Sequence, residues 1–110
     1  MDKRYMALGT SMLVLKLLNQ QSMYGYQIIR ELEQQSQNVF KLQEGTLYPI
    51  LHTLEQQGAV NSYHQTADNG RLRKYYQITT DGKKLLDEKS NEWEVYQTAI
   101  NRVMGGVLFE

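Results

Sequence analysis

Few side chains in this 110-residue sequence are spaced for covalent chemistry. His52 and His64 stand twelve positions apart, without the short interval by which a helix brings two imidazoles onto one metal ion. The absence of cysteine removes disulfides, thiolate metal sites and a cysteine nucleophile, and suits a reducing compartment. There is no G-x-S-x-G turn, no phosphate-cradling glycine loop and no obvious pair of catalytic carboxylates. No catalytic residue, metal ligand or cofactor is therefore assigned, and an enzyme is not expected. What remains is the chemistry of recognition. Arg71, Arg73 and Lys74 gather beside a turn, opposed between residues 59 and 79 only by Asp68, and cations so placed can neutralise phosphates. Upstream, "GTLYPILHTLEQQG" (45–58) presents Thr46, Tyr48, Pro49, His52, Thr53 and Glu55 on its polar side. Thr46 and His52 can hydrogen-bond to base edges, and Tyr48 can reach a phosphate or a base.

The elements that position these residues follow from periodicity. In 45–58, Leu47, Ile50, Leu51 and Leu54 recur at the interval of a buried helical stripe, and Gly58 supplies a stop. Proline is tolerated in a first turn, so Pro49 predicts a helix start near Gly45 or Thr46, with Thr46 as its N-cap. A first helix is expected over roughly Tyr5–Leu18, with Leu8, Met12, Leu15 and Leu18 on one side. A second is expected over roughly Met23–Gln35, capped by Ser22, with Tyr26, Ile29 and Leu32 inward and Ile28 widening that face. "SQNVFKLQE" connects it to the third, with Phe40 and Leu42 alternating as in a short extended piece. After Gly58 the period shortens to two. "AVNSYHQ" and "RLRKYYQIT", joined by "TADNG", predict a hairpin whose second strand carries Leu72, Tyr76 and Ile78 on one side and Arg71, Arg73 and Tyr75 on the other. Lys74 falls on the Leu72 side, so the tip should be twisted or free of the core. Thr79 or Thr80 caps a long fourth helix, in which Gly82 is unfavourable. Along it Leu86, Trp93, Tyr96, Ile100, Val103 and Val107 follow the spacing of a helix that packs on another helix.

Composition narrows the class. Apolar content of 41% and charged content of 22% are those of a globular protein, and the formal net charge is zero. That balance argues against a protein that coats nucleic acid, although the basic turn adjoins an acid-rich fourth helix bearing Asp81, Asp87, Glu88, Glu92 and Glu94. The apolar run after Lys3 and Arg4 is interrupted by Lys16 and is too short to span a bilayer, so a cytoplasmic protein without a membrane partner is expected.

Three helices, a two-stranded wing and a further helix are the order of a winged helix-turn-helix, in which the third helix enters the major groove and the wing lies against the backbone. The fold class is thus mainly α with a small β-hairpin, divided into a DNA-binding domain (1–79) and an added carboxyl-terminal dimerisation helix (80–110). A winged helix kept only for protein contacts is the alternative, and double-stranded RNA would need a second basic surface.

"YGYQI" (24–28), "GTLYPILHTLEQQG" (45–58) and "GRLRKYYQITTDGKKLL" (70–86) together resemble the PadR family of bacterial transcriptional regulators. The likeness covers nearly all of the first 86 residues, and the single carboxyl-terminal helix resembles the short subfamily. It implies a homodimeric repressor at a palindromic promoter operator in double-stranded DNA, often its own. By the same resemblance Thr46, Tyr48 and Pro49 lie at the DNA-facing start of the recognition helix, Arg71, Arg73 and Lys74 belong to the wing, and Tyr24 lies near the phosphates. Leu72 departs from the proline or basic residue of many members. The resemblance also implies that the fourth helix pairs with its partner and packs on the partner's first helix, and a tryptophan at the place of Trp93 stacks planar aromatic effectors in some short members. Here Trp93, Tyr96 and Ile100, with Tyr5, Leu8 and Met12, form either a pocket for a small aromatic molecule or simply the dimer core.

Overall fold

The computed structural model describes residues 3–105, with side chains from residue 9 onward. The chain runs α1 (Lys3–Gln20), β1 (Met23–Tyr24), α2 (Gly25–Gln35), α3 (Glu44–Gln56), β2 (Val60–Thr66), β3 (Leu72–Ile78) and α4 (Thr80–Val103). Tyr5 and Leu8 precede the described side chains, and Val107 lies beyond the described residues.

The core sits where α1, α2, α3 and the sheet converge. Val14, Leu15, Leu17 and Leu18 of α1 meet Ile28 and Leu32 of α2 and Leu47, Leu51 and Leu54 of α3, with Val60, Tyr76 and Leu86 closing the cluster. The α3 stripe is as its spacing predicts, with Ile50 half-buried at the margin. In α2 the buried face is Gly25, Ile28 and Leu32; Tyr26 is instead 50% exposed, with the Arg30 guanidinium 5.8 Å from its ring centroid. The inward direction is set by Ile28 and Leu32, one turn apart, and Tyr26 lies off that line.

Two helix starts differ from their sequence signals. Met23 and Tyr24 form a strand, so Ser22 caps nothing, and Tyr24 is the residue before α2, with no side-chain cap. The N-cap of α3 is Gln43, two residues before the expected window, and both Thr46 and Leu47 donate their N–H groups to its carbonyl. Thr46 therefore lies inside the first turn, and Pro49 in the second, where it leaves the Gly45 carbonyl without its helical donor. Between α2 and α3 the chain reverses through Gln37 and Asn38, both left-handed at φ 52° and 69°. Ser36 Oγ accepts from the Phe40 N–H at 2.9 Å, and Leu42 then plugs into the core, so the connector is an ordered turn rather than a strand.

The sheet has three antiparallel strands in the order β1-β3-β2, one more than the hairpin read from the sequence. The strand β1 pairs Met23 with Tyr76 and Tyr24 with Tyr75, and β2 pairs from Val60–Ile78 to Thr66–Leu72. Tyr76 is buried, whereas Leu72 is 69% exposed and Lys74 is exposed. The hairpin tip thus stands clear of the core, as the Lys74 alternation required.

Thr79 caps α4: its hydroxyl oxygen accepts from the Gly82 N–H at 3.0 Å. The glycine has a packing reason. A Cβ at position 82 would fall on the Ala59 carbonyl oxygen, with Ile78 Cγ1 at 2.7 Å, so the α4 backbone passes directly over the α3–β2 junction. From Asn91 to Gly105 every residue of this segment is exposed, Trp93 by 46%, Tyr96 by 49% and Ile100 by 40%.

Candidate nucleic-acid interface

The candidate surface is built at the seam between α3 and the sheet. On α3, Thr46, Tyr48, Pro49, His52 and Thr53 are all exposed, on the side opposite the buried leucines. Glu55 departs from that set. Its carboxylate accepts from the Ser62 hydroxyl at 2.8 Å, which turns the negative charge toward β2 and ties the helix to the wing. The open side of α3 is left with hydroxyls, an imidazole and Glu44 at the first turn.

Across the sheet, three tyrosines line up by register, Tyr24 on β1, Tyr75 on β3 and Tyr63 on β2. Tyr24 meets Tyr75 edge-on with centroids 5.4 Å apart, and Tyr75 stacks on Tyr63 at 5.6 Å. The Arg73 guanidinium lies 5.1 Å from the Tyr24 centroid, and its Nε is buried with no hydrogen-bond partner. A planar cation on an aromatic face is held in orientation at little cost to the charge it shows outward. Lys74, on the alternate side of β3, sets its ammonium 5.5 Å from the Tyr76 ring. Arg71 is separate from both, exposed at the turn, where its N–H donates to Asn69 Oδ1 and its carbonyl accepts from Ala67. The basic cluster of the sequence is therefore one cation at the turn and two on the adjoining part of β3, on alternate sides of the strand.

Tyr48 joins the two halves. Its phenol leans over Gly25 at the start of α2, and its acidity records the neighbourhood. Burial raises its pKa above the ordinary phenol value, as do the charge of Glu44 and the Tyr76 phenol, while Arg73 and Lys74 oppose that rise. Arg73 thus touches Tyr24, and both Arg73 and Lys74 act electrostatically on Tyr48, although 50 positions separate Tyr24 from Lys74 in the chain. Among the residues the sequence reading did not single out, Gly25, Tyr63 and the Glu55–Ser62 hydrogen bond all belong to this seam. The alternation of Tyr63 and Tyr75 within their strands signals a shared face, but nothing local signals that β1 joins them.

At the other end of the chain, Trp93 and Tyr96 lie 5.9 Å apart at 40°, beside a shallow concavity formed by Tyr96, Ala99, Ile100, Val103 and Met104. Met12 is half-buried on α1. His64 is exposed on β2 opposite Lys74, and His52 is exposed on α3. Among the described residues no group of three or more histidine, cysteine, aspartate or glutamate side chains is gathered as for a metal ion, and no helix is long and apolar enough to cross a membrane.

Three core helices, with the third exposed along a polar, nearly uncharged side and flanked by a cationic wing, define a winged helix-turn-helix protein of the DNA-binding class. The sequence pattern of the transcriptional regulator PadR-like family matches residues 14–88, and the chain belongs to that family, whose members are transcriptional regulators rather than enzymes. An uncharacterised protein of Lysinibacillus sphaericus is 34% identical over 86% of this chain and 87% of its own length. A transcriptional regulator of Clostridium thermocellum has a similar structure, with a TM-score of 0.76 and 32% identity over 84% of this chain and 89% of that one. A PadR family transcription regulator of Clostridium difficile R20291 superposes with a TM-score of 0.73 and 31% identity, covering 86% of this chain and 97% of that one.

Proposed function

We propose that this regulator is a homodimeric repressor, cytoplasmic, acting at a palindromic promoter site. Residues 1–79 read DNA and residues 80–110 pair the protomers. Thr46, Tyr48, Pro49 and His52 address base edges in the major groove, while Tyr24, Arg71, Arg73 and Lys74 hold the phosphates on either side. The observation that carries this reading is the placement of Tyr48. It is 43% exposed on α3 yet anchored at the start of α2, within the electrostatic reach of Arg73 and Lys74. One side chain thereby links groove-facing and phosphate-facing groups. Pairing through α4 is supported by Trp93, Tyr96, Ile100 and Val103, a row at helix-packing spacing that is exposed in the single chain. A two-fold dimer presents two copies of α3 about one turn of DNA apart, which is why the operator is a palindrome. The tilted Trp93–Tyr96 pair also supports a planar aromatic effector seated between the paired helices, changing their angle and so the spacing of the two recognition helices.

Fluorescence anisotropy tests the reading, with a labelled duplex from upstream of the protein's own gene set against a scrambled duplex of equal length at two salt concentrations. The expected result is preferential binding of two protomers per specific duplex. Absence of binding to either duplex at low salt would favour a winged helix retained for protein contacts.

A further inference from the structure

The beginning of α2 carries a constraint that the DNA-binding groups alone do not explain. Gly25 is buried, has an ordinary helical backbone, and stands where any other residue would be tolerated by the helix itself. A Cβ built on it would land on the Tyr48 hydroxyl, with Tyr48 Cζ at 2.8 Å and Cε1 at 3.2 Å. The missing side chain is therefore filled by a phenol from α3. No comparable neighbour faces Gly45, which lies in the first turn of the recognition helix and has nothing within 4 Å of its Cβ direction. The Tyr48 ring is thus seated in a notch whose floor is Gly25. Glu44 on its own helix and, from the sheet, Tyr76, Arg73 and Lys74 act on its phenol electrostatically.

We propose that Gly25 is a positioning residue for sequence recognition: it seats the Tyr48 phenol against α2 and so fixes the direction in which the start of α3 meets the groove. The inference rests on the reading of α3 as the groove helix and adds a residue that itself presents no side chain to DNA. Any Cβ at position 25 pushes Tyr48 outward. The three nearest obstructing atoms all belong to the far end of a rotatable side chain, so that ring is the first to yield. Alanine is moreover the better helix former, so α2 itself is not weakened.

The test uses the full-length protein and a random-sequence duplex library. Rounds of selection with the wild type define a preferred duplex, and affinities for that duplex and a scrambled one are then measured for Gly25→Ala, Gly25→Ser, Tyr48→Phe, Tyr48→Ala and Gly25→Ala with Tyr48→Phe. Circular dichroism and gel filtration verify that each variant keeps its helix content and its assembly state. Gly25→Ala and Gly25→Ser are expected to reduce the ratio of the two affinities about tenfold, with little change in affinity for the scrambled duplex. In the Tyr48→Phe background the hydroxyl is gone but ring carbon Cζ still lies 2.8 Å from the Cβ position, so the same glycine change should cost less without becoming neutral. In the free protein the Tyr48 ring resonance, assigned by its loss in Tyr48→Phe, should shift in Gly25→Ala. If Tyr48→Ala abolishes discrimination while both Gly25 variants retain it in full, the inference is overturned and the groove-helix reading stands. If the wild type discriminates and Tyr48→Ala discriminates equally well, the reading of α3 fails and the inference falls with it.

Discussion

Gly82→Ala separates helix propensity from packing, because the two predict opposite signs. Inside α4, replacing glycine by alanine favours the helix by about 0.8–1 kcal/mol. Tertiary structure opposes this. The new methyl meets the Ala59 carbonyl oxygen and lies 2.7 Å from Ile78 Cγ1, and the obstructing carbonyl is backbone, which cannot rotate aside. Overpacking of this kind costs roughly 1–3 kcal/mol. The same carbonyl accepts from the Thr79 N–H at 3.0 Å and from its hydroxyl at 3.1 Å, so displacing it weakens a hydrogen bond worth about 1 kcal/mol. Taken together, the variant should be less stable by about 2 kcal/mol. With an m-value on the order of 2 kcal/mol/M, its urea midpoint falls by about 1 M. The measurement is equilibrium urea unfolding followed by circular dichroism at one fixed protomer concentration, since dimer stability depends on concentration. Gly45→Ala is the internal control. It lies in α3 with open space around its Cβ direction, so its midpoint should rise, by up to about 0.5 M. A Gly82→Ala protein as stable as the wild type would refute the close approach of α4 to Ala59.

Removal of the wing-tip cation by Arg71→Ala should weaken binding to specific and scrambled duplexes alike and reduce the slope of log affinity against log salt by about 0.9; unequal losses would assign Arg71 a role in reading sequence. Tyr48 has its folded pKa raised above the unfolded phenol value of about 10, so the stability it contributes is complete below that pH and is lost as pH rises through the folded value. The loss of stability above pH 10 should therefore be smaller in Tyr48→Phe than in the wild type, as read by the urea midpoint at each pH. Titration with planar aromatic compounds should quench Trp93 fluorescence, and no change across a varied panel would remove the effector from the proposed function.

Much of the frame was legible because it is written in local periodicity. The leucines of α3, the two-residue alternation of the wing strands, the turn at Asp68, Asn69 and Gly70, and the helix-packing spacing along α4 all depend on neighbours within a few positions, and each element formed where that pattern lies. The same holds for Thr79, whose hydroxyl caps α4 three residues before the N–H it accepts from. Two helix starts depart from it. Ser22 has the chemistry of a cap, but Met23 and Tyr24 are taken by Tyr76 and Tyr75 of β3, distant in the chain, before α2 can begin. Pro49 marks a helix start in isolation, yet α3 begins five residues earlier, at Glu44.

The candidate site divides along the same line. Residue type and spacing alone identified Thr46, Tyr48 and His52 as hydrogen-bonding groups on an uncharged helix side, and Arg71, Arg73 and Lys74 as the cations beside it. Only the tertiary structure decided that Arg73 lies on Tyr24, that Glu55 turns to Ser62, and that Tyr48 occupies the space a side chain at position 25 would need. Those are contacts between elements distant in sequence. They exist because β1 adds to the wing and α3 packs across the start of α2, and a linear chain carries no record of which absent side chain makes room for which distant ring.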